Sequence, residues 1–154
     1  MNQYYQHLVE KLEEIAHLNG VMSTIGWDQE VVLPVGAGEA RAKQIAALAG
    51  VIHERMTDAQ LGDCLAKLNH HGIDAFNEFE RCNIREAQRD YELETKVPKR
   101  LVQELAELGS RGHGVWVTAR QENKFSDFAP VLKRFLELKK EWAQCVSPDL
   151  EPYD

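Results

Sequence analysis

Apolar residues recur at helical spacing along almost the whole chain. Tyr5, Leu8, Val9, Leu12, Ile15 and Ala16 fall at i, i+3, i+4, i+7 intervals, while Glu10, Lys11, Glu13 and Glu14 lie on other faces. Val21, Met22 and Ile25 carry this surface on to Trp27, past a Gly20 that either breaks or only bends the helix. Regular helix cannot continue throughout residues 30–38, because Val31 and Val32 are β-branched, Pro34 removes a donor, and Gly36 and Gly38 supply flexibility. Ile45, Leu48, Ala49, Ile52 and Met56 predict a second helix over residues 39–56. Thr57 with Gln60 three residues later reads as a capping box for a short third helix carrying Leu61, Cys64, Leu65 and Leu68, closed by Asn69-His70-His71-Gly72.

A long polar helix is predicted over residues 73–95, with Phe76, Phe79, Ile84, Ala87 and Tyr91 as its sparse apolar stripe. Pro98 suits the first position of the next helix, whose face runs through Leu101, Leu105, Leu108, Trp116 and Ala119. Gly109, Gly112 and Gly114 conflict with that pattern, each costing about 1 kcal/mol relative to Ala. Either another helix approaches closely there, or the helix breaks near Ser110. Ser126 or Asp127 is the expected cap of a last helix with Phe128, Val131, Leu132, Phe135, Leu138 and Trp142 facing inward. Sustained period-2 alternation, an Asn-Gly or Asp-Gly hairpin, internal repeats and low-complexity tracts are all missing. The expectation is an all-α bundle of six or seven helices with short turns: one helical domain over residues 1–146, and a turn or linker over residues 147–154.

Composition narrows the function classes. A chain of 154 residues suits one domain, able to bury about 70% of its unfolded surface. A hydrophobic fraction of 44% indicates a folded protein. The net charge of −7 gives no basic footprint for nucleic acid. The densest basic group, Lys133, Arg134, Lys139 and Lys140, alternates with apolar residues and is offset by Glu137 and Glu141, as on a solvated helix face. Cys64, Cys82 and Cys145 have no CxxC or Cys/His spacing, so they read as buried thiols and not as disulfides or metal ligands. The N-terminus has no signal-peptide pattern and no run reaches a membrane span, so a cytoplasmic protein is expected.

Complete catalytic constellations are absent. His53-Glu54-Arg55-Met56-Thr57 approaches the zinc motif His-Glu-x-x-His, but Thr57 stands where the second histidine must share the helix face. His53-Glu54 is therefore expected to be a surface pair near a helix end. Glu14-Ile15-Ala16-His17 fits the Glu-x-x-His element of di-iron bundles, a chemistry that needs the element twice. No other histidine has a Glu three residues before it. His70-His71 with Asp74 suits a helix end better than a metal, since adjacent helical histidines point about 100° apart. The serines have no nucleophile elbow, and Gly36-Ala37-Gly38 does not follow a strand. What remains is Trp27-Asp28-Gln29 before the Pro/Gly turn and Arg41 after it. An Asp beside a Trp with an Arg beyond the turn either pins the turn with an ion pair or lines a polar cleft.

The spacing Trp27-Asp28-Gln29, Pro34, Gly36-Ala37-Gly38, Arg41, Gln44 resembles the N-terminal signature of the carboxypeptidase Taq family, the thermostable carboxypeptidase 1 type of zinc metallocarboxypeptidases. Further pieces follow in the same order: His53-Glu54, Arg85 to Tyr91, Val97-Pro98 before Leu101-Val102, Trp116 with Ala119-Arg120, Asn123-Lys124-Phe125, and Phe128-x-Pro130-x-Leu132. The resemblance covers essentially the whole chain. It implies a cytoplasmic, mostly helical, homodimeric parent enzyme acting on peptide substrates. In that parent, zinc or another divalent metal is held by a His-Glu-x-x-His motif plus a downstream Glu, with the motif's Glu as general base.

That motif belongs to a later part of the family's sequence, so no catalytic, cofactor-binding or metal-binding residue is carried onto this chain. The expectation is the N-terminal helical region of the parent, inactive alone, walling or capping the substrate cleft. Trp27, Asp28, Gln29 and Arg41 are expected to order the turn of that wall. The rival reading is a stand-alone helical interaction or regulatory module. A region that normally packs against a larger partner is also expected to self-associate or to be of low stability.

Overall fold

The computed structural model describes residues 2–34, 36–70 and 72–152. It is helical, with no strand among the described residues. Six α-helices run α1 (Gln3–Val31), α2 (Gly38–Met56), α3 (Ala59–His70), α4 (Glu78–Glu94), α5 (Lys99–Gln121) and α6 (Phe125–Val146), with a 3-10 turn at Ile73–Ala75 between α3 and α4. The all-α expectation holds, and so does the non-helical turn before α2.

Ion pairs give the order and direction of the four long elements. Asp28 meets Arg41 while Glu14 meets Arg55 at 2.7 Å, so α1 and α2 are antiparallel neighbours. Glu39 meets Arg111 at 3.3 Å while Glu54 meets Lys99 at 2.6 Å, which sets α5 antiparallel to α2. Glu104 with Arg134 and Arg100 with Glu141 add α6 antiparallel to α5. The short helices α3 and α4 pack at the other end of α1, and α4 also touches α2.

Two apolar clusters hold this arrangement. One joins α1, α3 and α4 through Tyr5, Leu8, Ile15, Leu65, Leu68, Phe76 and Ile84. The other lies between α5 and α6 around Val97, Leu101 and Leu138. Between them α2 presents Ala42, Ala46, Ala49 and Gly50, all buried, and these small residues let α5 approach closely. A methyl group on Gly50 would lie 2.5 Å from Gln103 Nε2, whose amide reaches the Ala46 carbonyl at 3.4 Å.

Several local expectations are corrected. α1 continues unbroken through Gly20, and the Ser23 and Thr24 hydroxyls bond back to the Asn19 and Gly20 carbonyls at 3.0 Å each. Gly20 meets nothing within 4 Å, so the missing Cβ costs only propensity. Thr57 does not cap α3, because its hydroxyl donates to the His53 carbonyl at 2.8 Å, while Asp58 Oδ1 accepts from the Gln60 amide at 3.0 Å. The predicted 73–95 helix splits, since Asn77 and Glu80 form a reciprocal capping box that starts α4 afresh. Phe76, ahead of the cap, is then buried against Tyr5, with ring centroids 6.1 Å apart. Phe79, in the first turn, is 73% exposed instead of inward.

Pro98 stands one position earlier than expected, at the N-cap of α5. That helix is unbroken at Ser110. Close approach explains only Gly112, where an added Cβ would lie 3.0 Å from Val131 of α6; Gly109 and Gly114 have nothing within 4 Å. Neither Ser126 nor Asp127 caps α6. Asn123 adopts φ 56°, the Lys124 amide bonds the Ala119 carbonyl at 2.7 Å, and α6 begins at once with Phe125. Trp116 and Trp142, placed inward by periodicity, are exposed. Among the thiols Cys64 is buried, Cys82 and Cys145 are half-buried, and all three are free. Burial pushes the Cys64 thiol above its usual range.

Candidate functional site

Asp28 occupies the last turn of α1, and its backbone carbonyl accepts from both Val32 and Leu33 amides at 2.9 Å, which closes the helix. The chain then turns through Pro34, whose carbonyl accepts from Ala37 at 3.1 Å, and through Gly36 at φ 94°, a conformation that favours glycine. Arg41, in the first turns of α2, faces back across this turn. Its guanidinium pairs with the Asp28 carboxylate, donates to the Ile25 carbonyl at 2.7 Å, and donates to Gln44 Oε1 at 3.2 Å. One arginine thus ties a side chain and a backbone carbonyl of α1 to α2.

Gln29 turns toward α5, where its Oε1 accepts a hydrogen bond from the Ser110 hydroxyl. Next to it Glu30 meets His113 at 3.2 Å, and Glu39 meets Arg111 at 3.3 Å. Gln29, Leu33, Glu39, Ser110, Arg111 and His113 line a cleft of about 260 Å³. Trp27 does not enter it: the indole is 61% exposed on the outside of α1. Of the sequence-marked residues, then, Asp28, Gln29 and Arg41 come together around one turn, and Trp27 stands beside them facing outward. Ser110, Arg111 and His113 were missed as partners. They lie about 80 residues away, and only the glycines around them hinted that α5 meets something here.

His53 departs from its expected surface position. It is 5% exposed, with Nδ1 at 3.0 Å from Glu94 Oε2, because α4 packs over this end of α2. Its neighbour Glu54 does reach solvent and pairs with Lys99, whose ammonium holds the Glu54 carboxyl below its usual range. At the start of α3, the Lys11 ammonium at 2.7 Å and the Gln60 amide at 3.0 Å hold the Asp58 carboxyl low.

The divalent metal implied by the resemblance does not fit these residues. Among the described residues no group of three or more His, Cys, Asp or Glu lies close enough to hold an ion. Glu14, of the Glu-x-x-His element, is instead paired with Arg55, and His17 is exposed. Asp74 lies 3.7 Å from Arg81; His71 is outside the described residues, as are residues 153 and 154 of the expected linker. No step of chemistry is derived through a metal here. No helix among the described residues is long and apolar enough to cross a membrane.

Comparison with known proteins identifies the relatives of this fold. Residues 7–154 match the family described as Carboxypeptidase Taq (M32) metallopeptidase. Thermostable carboxypeptidase 1 of Thermus thermophilus is 37% identical over 142 residues, covering 91% of this chain and 28% of the relative. The crystal structure of the M32 carboxypeptidase from Deinococcus radiodurans superimposes with a TM-score of 0.76 at 31% identity, over 99% of this chain and 30% of that one. The crystal structure of BsuCP shares the fold more closely still, with a TM-score of 0.93 at 24% identity, over 99% of this chain and 31% of that one. The chain therefore spans under a third of the length of each of these relatives. With the match running through nearly every residue, this chain belongs to the carboxypeptidase Taq (M32) metallopeptidase family.

Proposed function

We propose that this chain is the N-terminal helical region of a zinc metallocarboxypeptidase that removes C-terminal residues from peptides. The observation that carries the reading is the family match over residues 7–154, combined with coverage of under a third of the relatives' length. The catalytic His-Glu-x-x-His would be supplied elsewhere in the parent. Residues 1–146 act as one helical unit, and residues 147–154 lead toward the catalytic part. The parent works in the cytoplasm as a homodimer, with zinc or another divalent metal.

Within that enzyme the region walls or caps the substrate cleft. The role of Asp28, Gln29 and Arg41 is to fix the α1–α2 turn, so that Trp27 projects at a set position on the wall. Support comes from the bond network on either side of the turn and from the exposure of Trp27.

The test compares this chain with the same reading frame extended downstream, each supplied with Zn²⁺ and an N-blocked dipeptide. The extended protein should carry His-Glu-x-x-His and release the C-terminal residue, and the chain alone should not. A frame lacking the motif, or an extended, metal-loaded protein without this activity, would leave the stand-alone helical module as the better reading. For the wall, Trp27→Ala in the extended protein should raise KM more than it lowers kcat; an unchanged KM would remove Trp27 from substrate contact.

A further inference from the structure

The hollow at the α5–α6 corner involves none of the residues of the α1–α2 turn. Its lining of Trp116, Ala119, Arg120, Asn123, Phe125 and Phe128 encloses about 440 Å³, within the roughly 300–1,000 Å³ usual for small-ligand sites. We propose that it binds the C-terminal carboxylate of a peptide whose last residue is aromatic or large and apolar.

Charge pairing carries the argument. The chain has nine arginines and a net charge of −7. Eight of them, Arg41, Arg55, Arg81, Arg85, Arg89, Arg100, Arg111 and Arg134, have a carboxylate partner. Arg120 alone has none among the described residues. Its guanidinium carbon lies instead 5.9 Å from the centroid of the Trp116 ring, stacked on the wall of the hollow. In so acidic a protein, an arginine left free of carboxylates is available to an incoming anion.

The surroundings select the kind of anion. Phe125 is 66% exposed and meets Phe128 edge-on, with centroids 6.4 Å apart, so the hollow offers rings as well as charge. A planar carboxylate matches the guanidinium fork in a bidentate pair, and an attached aromatic side chain can cover Phe125 and Phe128. Inorganic phosphate would gain nothing from those rings. Asn123, held at φ 56° by the tight corner, has no side-chain hydrogen bond among the described residues and can serve the peptide's amide. The nearest acidic group in sequence, Glu122, is already paired with Lys124 at 2.8 Å. The choice of a peptide over another carboxylate rests on the carboxypeptidase reading above.

The test is calorimetric titration of the 154-residue chain, and of the metal-free extended protein with and without Arg120→Gln, using N-acetyl-Ala-Phe and its C-terminal amide. The acid should bind and the amide bind roughly tenfold or more weakly, and Arg120→Gln should weaken the acid by a similar factor. Arg120→Lys should recover part of the loss. Because Arg120 is exposed and has no carboxylate partner among the described residues, the thermal melt of the Gln variant should change little, which separates lost binding from lost folding. Equal affinity for acid and amide, no binding of either, or an unaffected Arg120→Gln variant would overturn the site. Binding that depends on Arg120 in the chain but not in the extended protein would also overturn it, by assigning the hollow to an internal contact. If the acid binds both proteins but the extended one has no peptidase activity, the site stands and the function proposed above falls; activity without binding removes the site alone.

Discussion

Arg41 and Asp28 face each other across the α1–α2 turn, and the same guanidinium also reaches the Ile25 carbonyl at 2.7 Å. The Arg41 side chain is 12% exposed and that of Asp28 37%, so the arginine carries most of the burial. Removing Arg41 therefore leaves an accessible carboxylate and takes a second hydrogen bond from a helical carbonyl, without exposing a deeply buried charge. Arg41→Gln should cost about 1–2 kcal/mol, seen as a lower urea midpoint with an unchanged m-value. Arg41→Lys should recover less than half of this, because one ammonium cannot reproduce the fork to Asp28, Ile25 and Gln44. A wild-type midpoint in both variants would mean that the turn is fixed without the arginine.

Glycines on these helices should respond to alanine in opposite directions. A Cβ on Gly62 would sit 2.7 Å from Tyr91 Cζ, part of a rigid ring. Gly62→Ala should destabilise by about 1–3 kcal/mol through overpacking. Gly114 meets nothing within 4 Å, so Gly114→Ala should gain up to about 1 kcal/mol of helix propensity. Thermal melts of the two variants on either side of wild type would show this; a shift of both in one direction would contradict the packing described for α3 and α4.

Asp58 predicts one part of the acid response. The Lys11 hydrogen bond, then the Gln60 amide, lowers its folded pKa below the unfolded value. A carboxylate shifted in this direction stabilises the fold at pH values above its unfolded pKa of about 4, and that contribution is lost as pH falls through the lowered folded value. Asp58→Asn keeps a competent N-cap and removes the charge. Wild type should melt above this variant at pH 7, and the gap should close below pH of about 3. A gap that persists in acid would mean that Asp58 acts through its cap alone.

Exposed apolar side chains on α1 lead to an association prediction. Val21, Trp27 and Val31 are exposed along its second half and Val32 just beyond its end, while Tyr5, Leu8 and Ile15 of the first half are buried. An apolar surface of this kind promotes contact between copies when nothing else covers it. Sedimentation velocity should show concentration-dependent association of the chain, reduced in a Val31→Glu, Val32→Glu variant. A strictly monomeric wild type at high concentration would count against it.

Much of the fold was legible because helix periodicity is local. Six helices and the interruption before Gly38 follow from spacing and turn residues, whereas the small-residue face of α2 emerges only from its packing against α5. The ends were harder to read. Thr57 and Asp58 are both competent caps, and the choice went to Asp58 once the Thr57 hydroxyl returned to His53. Asn77 with Glu80 has capping-box spacing too, but it lies inside a run whose apolar stripe seemed continuous. The site was half legible: Asp28, Gln29 and Arg41 are near one another in sequence, whereas Ser110 and His113 join them only when α5 folds back.

The sequence by itself determined the helical class, the family and the want of a second zinc-binding histidine at Thr57. Those depend on residue types at fixed spacing. Tertiary structure alone decided that His53 is buried against Glu94, that Trp27 and Trp116 face outward, and that among the described residues Arg120 is the arginine without a carboxylate. The physical reason lies in the range of the interactions. A period of 3.6 residues places side chains on a face of their own helix, but what covers that face comes from helices distant in sequence, such as α4 over His53 and α5 against Gln29.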